Sequence, residues 1–166
     1  MTIRVHRGDL PDLSHYRGGA VAIDTETMGL NPHRDRLCLV QLCDRKGTAA
    51  IVQITRGCLD RPLAERAPRL KKLMESPKVE KVFHFARFDV AALKHWLGIE
   101  VKPIYCTRTV SKLIRTYTDR HGLKDVTKEL LGVDISKAQQ SSDWGAAPSG
   151  SGKVVWFTFD LEAGSA

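Results

Sequence analysis

Two carboxylates stand close together at the end of an apolar run, in the segment AIDTETMGL. Asp24 and Glu26 occupy positions i and i+2 of a predicted strand, so both side chains face the same side of the sheet. A strand that is buried at Ala22 and Ile23 places these acids where like charges repel and where desolvation adds to the cost. A divalent cation removes both penalties, and Mg²⁺ and Mn²⁺ prefer carboxylate oxygens. The pair therefore indicates a metal site, with a strand that simply reaches solvent at its end as the alternative.

A third acid, Asp89, lies in the first turn of a predicted helix that follows an apolar strand, in the segment VFHFARFDVAAL. An acid at this position favours the helix dipole and often caps the helix, so Asp89 taken alone has an ordinary structural explanation. Together with Asp24 and Glu26, it becomes a candidate ligand for the same metal site.

The strands that must position these acids are predicted from short apolar runs bounded by turn residues. The predicted strands cover 20–26, 36–43, 48–54 and 78–85, with a hairpin turn at 44–47. Amphipathic spacing and terminal glycines predict helices over 86–98, 107–117 and 123–132, and another over 63–76 that Pro68 must kink or delay. Strands followed by helices predict an α/β domain with a mixed sheet.

Composition limits the functions that the chain can serve. A formal charge of +7 and a pI near 9.4 suit a polyanionic partner such as nucleic acid. No apolar run is as long as a membrane span, and the segment MTIRVHRGDL lacks the apolar core of a secretory signal, so we expect no membrane partner and a cytoplasmic location. The cysteines lack zinc-ligand spacing, and we expect buried reduced thiols, with disulfide or metal roles as the alternative. They are Cys38, Cys43, Cys58 and Cys106.

The whole pattern resembles a known family of nucleases. A DxE strand, the wording HFxxFD around Asp89, and the long segment from CTRTVSKLIRTYTDRHGL to AQQSSDW are similar to the DEDD family of 3′→5′ exonucleases. Within that family the match is to the RNase D-like branch, and the TYTDRHGL wording resembles the bacterial nano-RNase C group. The resemblance covers roughly residues 3–147 and implies an RNase H-like fold with a mixed, mainly five-stranded sheet flanked by helices.

The resemblance also implies a mechanism and a set of functional residues. Four acids hold two Mg²⁺ or Mn²⁺ ions about 4 Å apart, one ion lowering the pKa of the attacking water and the other stabilising the leaving 3′ oxygen. Three of the four acids are Asp24, Glu26 and Asp89, and Glu26 also lies near the terminal 3′-hydroxyl. His84 matches a family histidine beside the scissile bond, with a satisfied core histidine as the alternative. Residues that the resemblance or their position makes candidates for substrate binding are Thr25, Met28, Leu30, Arg87, Gln140 and Trp144. A solvated helix face is the alternative for Arg87, and structural packing is the favoured alternative for Trp144.

Residues 149–166 depart from the family pattern. The family continues with a helix that carries Tyr-x-x-x-Asp, whereas this chain has SGSGKVVWFTFD, whose glycines oppose a helix and whose β-branched and aromatic residues favour a strand. Trp156 falls at the tyrosine position and Asp160 at the fourth acid, without a gap. Family members carry further helices beyond this point. We therefore divide the chain into an exonuclease domain at 1–148 and an atypical tail at 149–166, and hypothesise that a reading-frame change or a cloning artefact produced the tail.

These observations lead to a leading hypothesis and its alternatives. The first is a two-metal 3′→5′ exonuclease that hydrolyses phosphodiester bonds at the 3′ ends of short RNA, down to dinucleotides, or of DNA. The second is a catalytically impaired nucleic-acid-binding remnant that lacks the final Tyr-x-x-x-Asp motif, and the third is an RNase H-type endonuclease. The nano-RNase C resemblance further implies a ring-like homo-oligomer.

Overall fold

A computed structural model describes residues 2–16, 19–31 and 33–135, together with the backbone of 147–149 and 152–154. The chain divides into two compact units, Met1–Tyr105 and Cys106–Ala166. The first unit holds the sheet and the three candidate metal ligands Asp24, Glu26 and Asp89.

The sheet is mixed and has six strands in the order β1-β4-β3-β2-β5-β6. β1 runs parallel to β4 and β2 runs parallel to β5, whereas β3 is antiparallel to both β2 and β4. The strands are β1 (Thr2–Arg7), β2 (Gly19–Thr27), β3 (Leu37–Asp44), β4 (Thr48–Gln53), β5 (Val79–Phe83) and β6 (Ile104–Cys106).

This architecture confirms the predicted α/β fold with a mixed sheet, although the sheet has six strands where five were expected. The additional pairing involves strands with weak sequence signals. β1 alternates charged and apolar residues in TIRVHR, and β6 has three residues. The hairpin turn at 44–47 is confirmed, because the Asp44 carboxylate accepts the backbone N–H groups of Lys46 and Thr48.

The two faces of β2 differ in burial, and the acids lie on the more exposed face. Val21, Ile23 and Thr25 are buried on one face, whereas Asp24 and Glu26 lie on the opposite face with partial exposure. The prediction that Ala22 is buried was wrong, because its position in the alternation places it on the same face as the acids.

The helices of the first unit begin and end where local signals place them. They are α1 (Arg56–Leu59), α2 (Pro68–Met74) and α3 (Arg87–Leu97). Pro68 delays α2 as predicted, and the segment before it, Leu63–Glu65, forms a short 3₁₀ helix instead. Asp9 accepts the N–H groups of Arg69 and Leu70, which have no partner within the first turn of α2. Gly98 ends α3 in the left-handed conformation, with a φ of 63°.

Lys81 of β5 is fully buried, and its ammonium joins β5 to the segments that precede and follow it in the chain. Its ammonium donates to the carbonyl oxygens of Ser76, Val79 and Lys102 at 2.7, 2.7 and 2.5 Å. Burial nevertheless lowers the pKa of Lys81 to about 8. A folded-state pKa below the ordinary value of 10.5 means that the unfolded chain binds more protons between these pH values. The free energy of unfolding should therefore rise as the pH increases from about 8 to about 10.

We expect Lys81→Met to lower the free energy of unfolding at pH 7 by about 2 kcal/mol, because three carbonyl oxygens lose their donor. Urea unfolding curves at pH 7 and pH 9.5 measure this loss and the pH dependence together. Lys78→Met is the matched control, since Lys78 is exposed in the same segment. Equal stability of the two variants would contradict the role assigned to Lys81.

The described residues of the second unit include two helices, α4 (Thr107–Ile114) and α5 (Leu123–Leu131), the second ending at Gly132 with a φ of 71°. Arg115 follows α4, which ends three residues before its predicted end at Tyr117. The backbone of Ala147–Ser149 and Gly152–Val154 forms two short antiparallel strands, β7 and β8.

The described residues bear on membrane spans and on the state of the cysteines. None of their helices is long and apolar enough to cross a membrane. All four cysteines are free thiols, but Cys58 alone is buried, and Cys38, Cys43 and Cys106 are partly exposed. The expectation that all of them are buried was therefore wrong.

Candidate metal and nucleic-acid site

The site forms where β2 extends past β5 and meets the first turn of α3. The registered pairing between β2 and β5 ends at Ala22 and Val82. Three residues later along β2, the backbone N–H and the hydroxyl of Thr25 donate to Oδ1 of Asp89 at 3.0 and 2.7 Å. On the side of β2 where β5 has ended, Asp89 thus becomes the partner of Thr25, and the arrangement fixes the start of α3 against β2.

The charge of Asp89 acts on both acids of β2 across this junction. Burial, followed by the charges of Asp89 and Glu26, raises the pKa of Asp24 to about 7. Burial and the charge of Asp89 also raise the pKa of Glu26. Burial raises the pKa of Asp89 to about 6, although the hydrogen bonds from Thr25 act in the opposite direction. Burial thus raises the pKa of all three acids, and the assignment of these acids to one metal site stays a prediction.

The donor chemistry of this place suits a hard divalent cation, because all three acids offer carboxylate oxygens and burial disfavours their charged forms, which a cation would compensate. Within the part of the chain that the structure describes, no three His, Cys, Asp or Glu side chains converge closely enough to hold a metal ion.

The loop after β2 presents apolar side chains next to the acids. Met28 and Leu30 are 64% and 88% exposed. The loop is closed by a hydrogen bond from the N–H of Met28 to the carbonyl of Arg36 and by the Asp35 carboxylate, which accepts from the N–H of Asn31. A Cβ at Gly29 would lie 2.3 Å from Oδ2 of Asp35, so glycine is required for this close approach.

The other residues predicted to bind substrate are placed differently from one another. His84 is half-buried just beyond β5, and Arg87 is exposed at the first position of α3. Thr25 is buried and holds Asp89, which is a different role from the predicted lining of a nucleotide pocket. The remaining predicted residues, Gln140, Trp144 and Asp160, lie outside the described residues.

One residue at this edge was missed by the sequence prediction. Phe85, which lies between β5 and α3, has a φ of 70° and a half-exposed side chain. The segment HFARFD gives no signal for a left-handed backbone, because phenylalanine seldom adopts it.

Comparison with known proteins identifies the kind of chain that carries this site. Residues 12–152 match the 3′-5′ exonuclease family. The chain belongs to that family. It is also similar to ribonuclease D of Gluconacetobacter diazotrophicus, with 29% identity over 141 residues, which cover 85% of this chain and 34% of that protein.

Solved structures of the family include closer relatives. Brucella melitensis NrnC with bound Mg²⁺ is 55% identical, with a TM-score of 0.75, over 82% of this chain and 65% of that chain. Brucella melitensis NrnC bound to pGG is also 55% identical, with a TM-score of 0.74, over 82% of this chain and 64% of that chain. The chain thus spans about a third of the ribonuclease D relative and just under two thirds of NrnC.

Proposed function

We propose that this chain is a metal-dependent 3′→5′ exonuclease that hydrolyses phosphodiester bonds at the 3′ ends of short RNA. The observation that carries the proposal is the position of Asp24 and Glu26 at the end of β2 and of Asp89 in the first turn of α3, joined by the contact of Thr25 with Asp89, in a chain of the 3′-5′ exonuclease family. Similarity to a ribonuclease D and to NrnC bound to pGG supports RNA as the substrate class.

We propose Mg²⁺ or Mn²⁺ as the cofactor, with Asp24, Glu26 and Asp89 as ligands and Asp160 as the fourth acid of a two-ion site. The oxygen donors and the raised pKa values of the three described acids support this assignment, as does the Mg²⁺ bound to NrnC. When bound, such ions activate a water molecule and stabilise the leaving 3′ oxygen.

The residues of the chain orient the substrate and the acids around this centre. Thr25 fixes Oδ1 of Asp89 through its backbone N–H and its hydroxyl. We assign Glu26 to the terminal 3′-hydroxyl and His84 to the region of the scissile phosphate. Met28 and Leu30 are exposed at the end of β2, where their apolar side chains can contact the terminal nucleotide.

We expect Thr25→Val to reduce kcat/KM and the affinity for Mn²⁺ by about 10- to 100-fold, because Asp89 loses the hydroxyl that orients it. The β-branched valine preserves the strand, so the backbone N–H still reaches Asp89. Thr25→Ser is the control that keeps the hydroxyl. Initial rates and calorimetric titration with Mn²⁺ measure the effect, and equal behaviour of Val and Ser variants would contradict it.

Digestion of defined substrates tests the proposed activity. A 5′-labelled dinucleotide and a 7-mer, each as RNA and DNA, are incubated with Mg²⁺, Mn²⁺ or EDTA. We expect metal-dependent shortening from the 3′ end, with RNA preferred, and no cleavage of a circular substrate. Binding without shortening under saturating Mn²⁺ would favour the impaired remnant, and internal cuts in the circular substrate would favour an endonuclease.

We also propose that 1–148 is the exonuclease domain and that 149–166 replaces the last catalytic helix. A crystal structure with Mn²⁺ decides whether the tail takes part in catalysis. Two ions held by the described acids and Asp160 would establish the tail as catalytic, whereas one ion, or none, would show that it is not. The coding DNA tests the reading-frame hypothesis, because a frame shift near codon 147 should then encode Tyr-x-x-x-Asp.

Self-association is the last part of the proposal. The two helices of the second unit carry large apolar side chains with more than half of their surface exposed, and such side chains favour contact between protein copies. They are Leu113, Ile114, Leu130 and Leu131. Light scattering coupled to size exclusion measures the mass, and a monomer at micromolar concentration would contradict this part of the proposal.

A further inference from the structure

A strained backbone carries a large exposed aromatic ring beside the acids. Phe85 has a φ of 70°, in the left-handed region where a side chain with a Cβ is disfavoured. Ala67, the other non-glycine residue with a positive φ in the described part of the chain, is buried and packs in the core. Phe85 instead leaves 48% of its surface in solvent. Such strain at an exposed residue points to a use outside the fold.

The position of Phe85 links it directly to the site. It lies two residues after the end of β5 and two residues before the start of α3. Its carbonyl accepts the N–H of Phe88 at 3.3 Å, so the residue turns the chain from the strand into the helix that carries Asp89. The ring therefore leaves the backbone at the turn that sets the position of one of the three acids.

Other apolar side chains are exposed at the same edge of the sheet. Met28 and Leu30 follow the end of β2, as Phe85 follows the end of β5, and these two strands are parallel neighbours. The acids Asp24 and Asp89 are thus accompanied by apolar groups from both strand ends. With the divalent cation of the proposed function between the acids and a phosphate, a ligand that joins a phosphate to a flat apolar ring fits this combination.

We propose that Phe85 is a stacking platform for a base at the 3′ end of the single-stranded substrate. This inference rests on the proposed function and names a specificity residue for it. Stacking on an aromatic side chain tolerates every base, because each has a π face, and removal of the ring weakens binding by about 10- to 100-fold. The left-handed turn holds the ring at the edge of the sheet, where a base next to the scissile phosphate can reach it.

The test separates stacking from other contributions of the ring. Three RNA 7-mers are compared: one with all bases, one abasic at the last position and one abasic at the penultimate position. Affinity is measured by fluorescence anisotropy in Ca²⁺, and KM and kcat are measured in Mn²⁺. We expect the wild-type protein to bind one of the abasic substrates about 10- to 100-fold more weakly than the complete 7-mer.

Phe85→Leu keeps the apolar bulk and the backbone strain but removes the π face. We expect it to lose the discrimination against the abasic substrate, with an increase in KM and little change in kcat, whereas Phe85→Trp retains it. Discrimination that survives in Phe85→Leu would overturn the proposal. An equal loss of affinity for complete and abasic substrates would also overturn it, because the ring would then act through the structure of the site.

Phe85→Gly tests the strain. Because glycine adopts a φ of 70° freely, we expect this variant to have a higher Tm than the wild type and weaker binding of the complete 7-mer. A lower Tm together with unchanged affinity would contradict both parts of the argument.

The outcomes also distinguish this proposal from the proposed function. A wild-type protein that shows base-dependent binding through Phe85 but no cleavage in Mn²⁺ would refute the exonuclease activity and support stacking. A protein that cleaves RNA with the same base dependence in Phe85→Leu would support the activity and refute stacking. Absence of both binding and cleavage would refute both.

Discussion

Replacement of Asp24 by asparagine is expected to lower kcat/KM on an RNA 7-mer by about 10³-fold or more, while raising the Tm of the metal-free protein. The loss follows from the proposed role of Asp24 as a metal ligand, because the neutral amide binds Mg²⁺ and Mn²⁺ poorly and metal ions contribute several kcal/mol to such reactions. The gain in stability follows from the charge that the substitution removes.

The sign of the stability effect follows from the raised pKa. Burial and the neighbouring acids raise the pKa of Asp24 from 3.8 to about 7. Between these pH values the folded protein binds more protons than the unfolded chain, so this group destabilises the fold progressively as the pH rises. In the absence of metal, Asp24→Asn should therefore be more stable than the wild type at pH 7.5 by about 2 to 4 kcal/mol and similar to it at pH 4.

Thermal unfolding in EDTA, over pH 4 to 8, measures this difference, and the same scans in Mn²⁺ measure the stabilisation by metal. We expect Mn²⁺ to raise the Tm of the wild type much more than that of Asp24→Asn, because a ligand stabilises the folded state more when it binds that state more tightly. Asp60→Asn is the control, since Asp60 is an exposed acid of the same unit. An Asp24→Asn variant that keeps full activity, or that is less stable than the wild type in EDTA, would refute the assignment.

The positions of Asp24, Glu26 and Asp89 could be predicted because each acid follows a strong local signal. The apolar run before Asp24 defines a strand, the i and i+2 spacing places Glu26 on the same face, and the helix after Phe83 carries Asp89 in its first turn. These relations depend on backbone periodicity, which is readable from one segment at a time.

The contributions of Thr25, Lys81 and Phe85 could not be predicted in the same way. Thr25 bonds to Asp89, 64 residues away in the chain, and the sequence gives no information on that contact. Lys81 interrupts an apolar strand and is buried because carbonyl groups from separate segments surround its ammonium. Phe85 depends on a backbone angle that its residue type disfavours. Long-range contacts and local backbone strain are therefore the features that the sequence pattern could not predict.

The basic residues of the second unit illustrate the same limit. From the sequence alone, five basic side chains of this unit suit either phosphate binding or a solvated helix face. They are Lys112, Arg115, Arg120, His121 and Lys124. In the structure, the Arg115 side chain is buried, and its guanidinium donates to Ser111 and to the carbonyl of Arg120 at 2.9 and 2.7 Å. Nε and Nη2 contact Glu129, the first at 3.0 Å. Arg115 therefore connects α4 with α5, and four of its five N–H donors are engaged in these contacts.

Disruption of the contacts that Arg115 makes between α4 and α5 is expected to have the second large effect, a loss of stability in the second unit. We expect Arg115→Met to lower the Tm of the second unit by roughly 10 °C and to accelerate hydrogen exchange in α4 and α5, because Glu129 and the carbonyl of Arg120 lose their donor. Arg115→Lys should fail to restore stability, since a single ammonium cannot reproduce the bidentate contact with Glu129. Exchange measured on peptides from 107–131 localises the effect, and peptides from β2 to β4 should be unchanged.

The exposed ion pair between Lys128 and Asp134 supplies a matched control. Its atoms are 3.0 Å apart, but the side chains are 64% and 43% exposed, so Lys128→Met should change the Tm little. The pH dependence of stability is a second criterion. Hydrogen bonds from Arg115 and Tyr117 lower the pKa of Glu129 to about 2. The contribution of Glu129 to stability is therefore present above about pH 4.5 and is lost as the pH falls toward 2. In Arg115→Met this acid sensitivity should become much weaker. If Lys128→Met were as destabilising as Arg115→Met, or if the acid sensitivity were unchanged, burial of Arg115 would not be what holds α4 and α5 together.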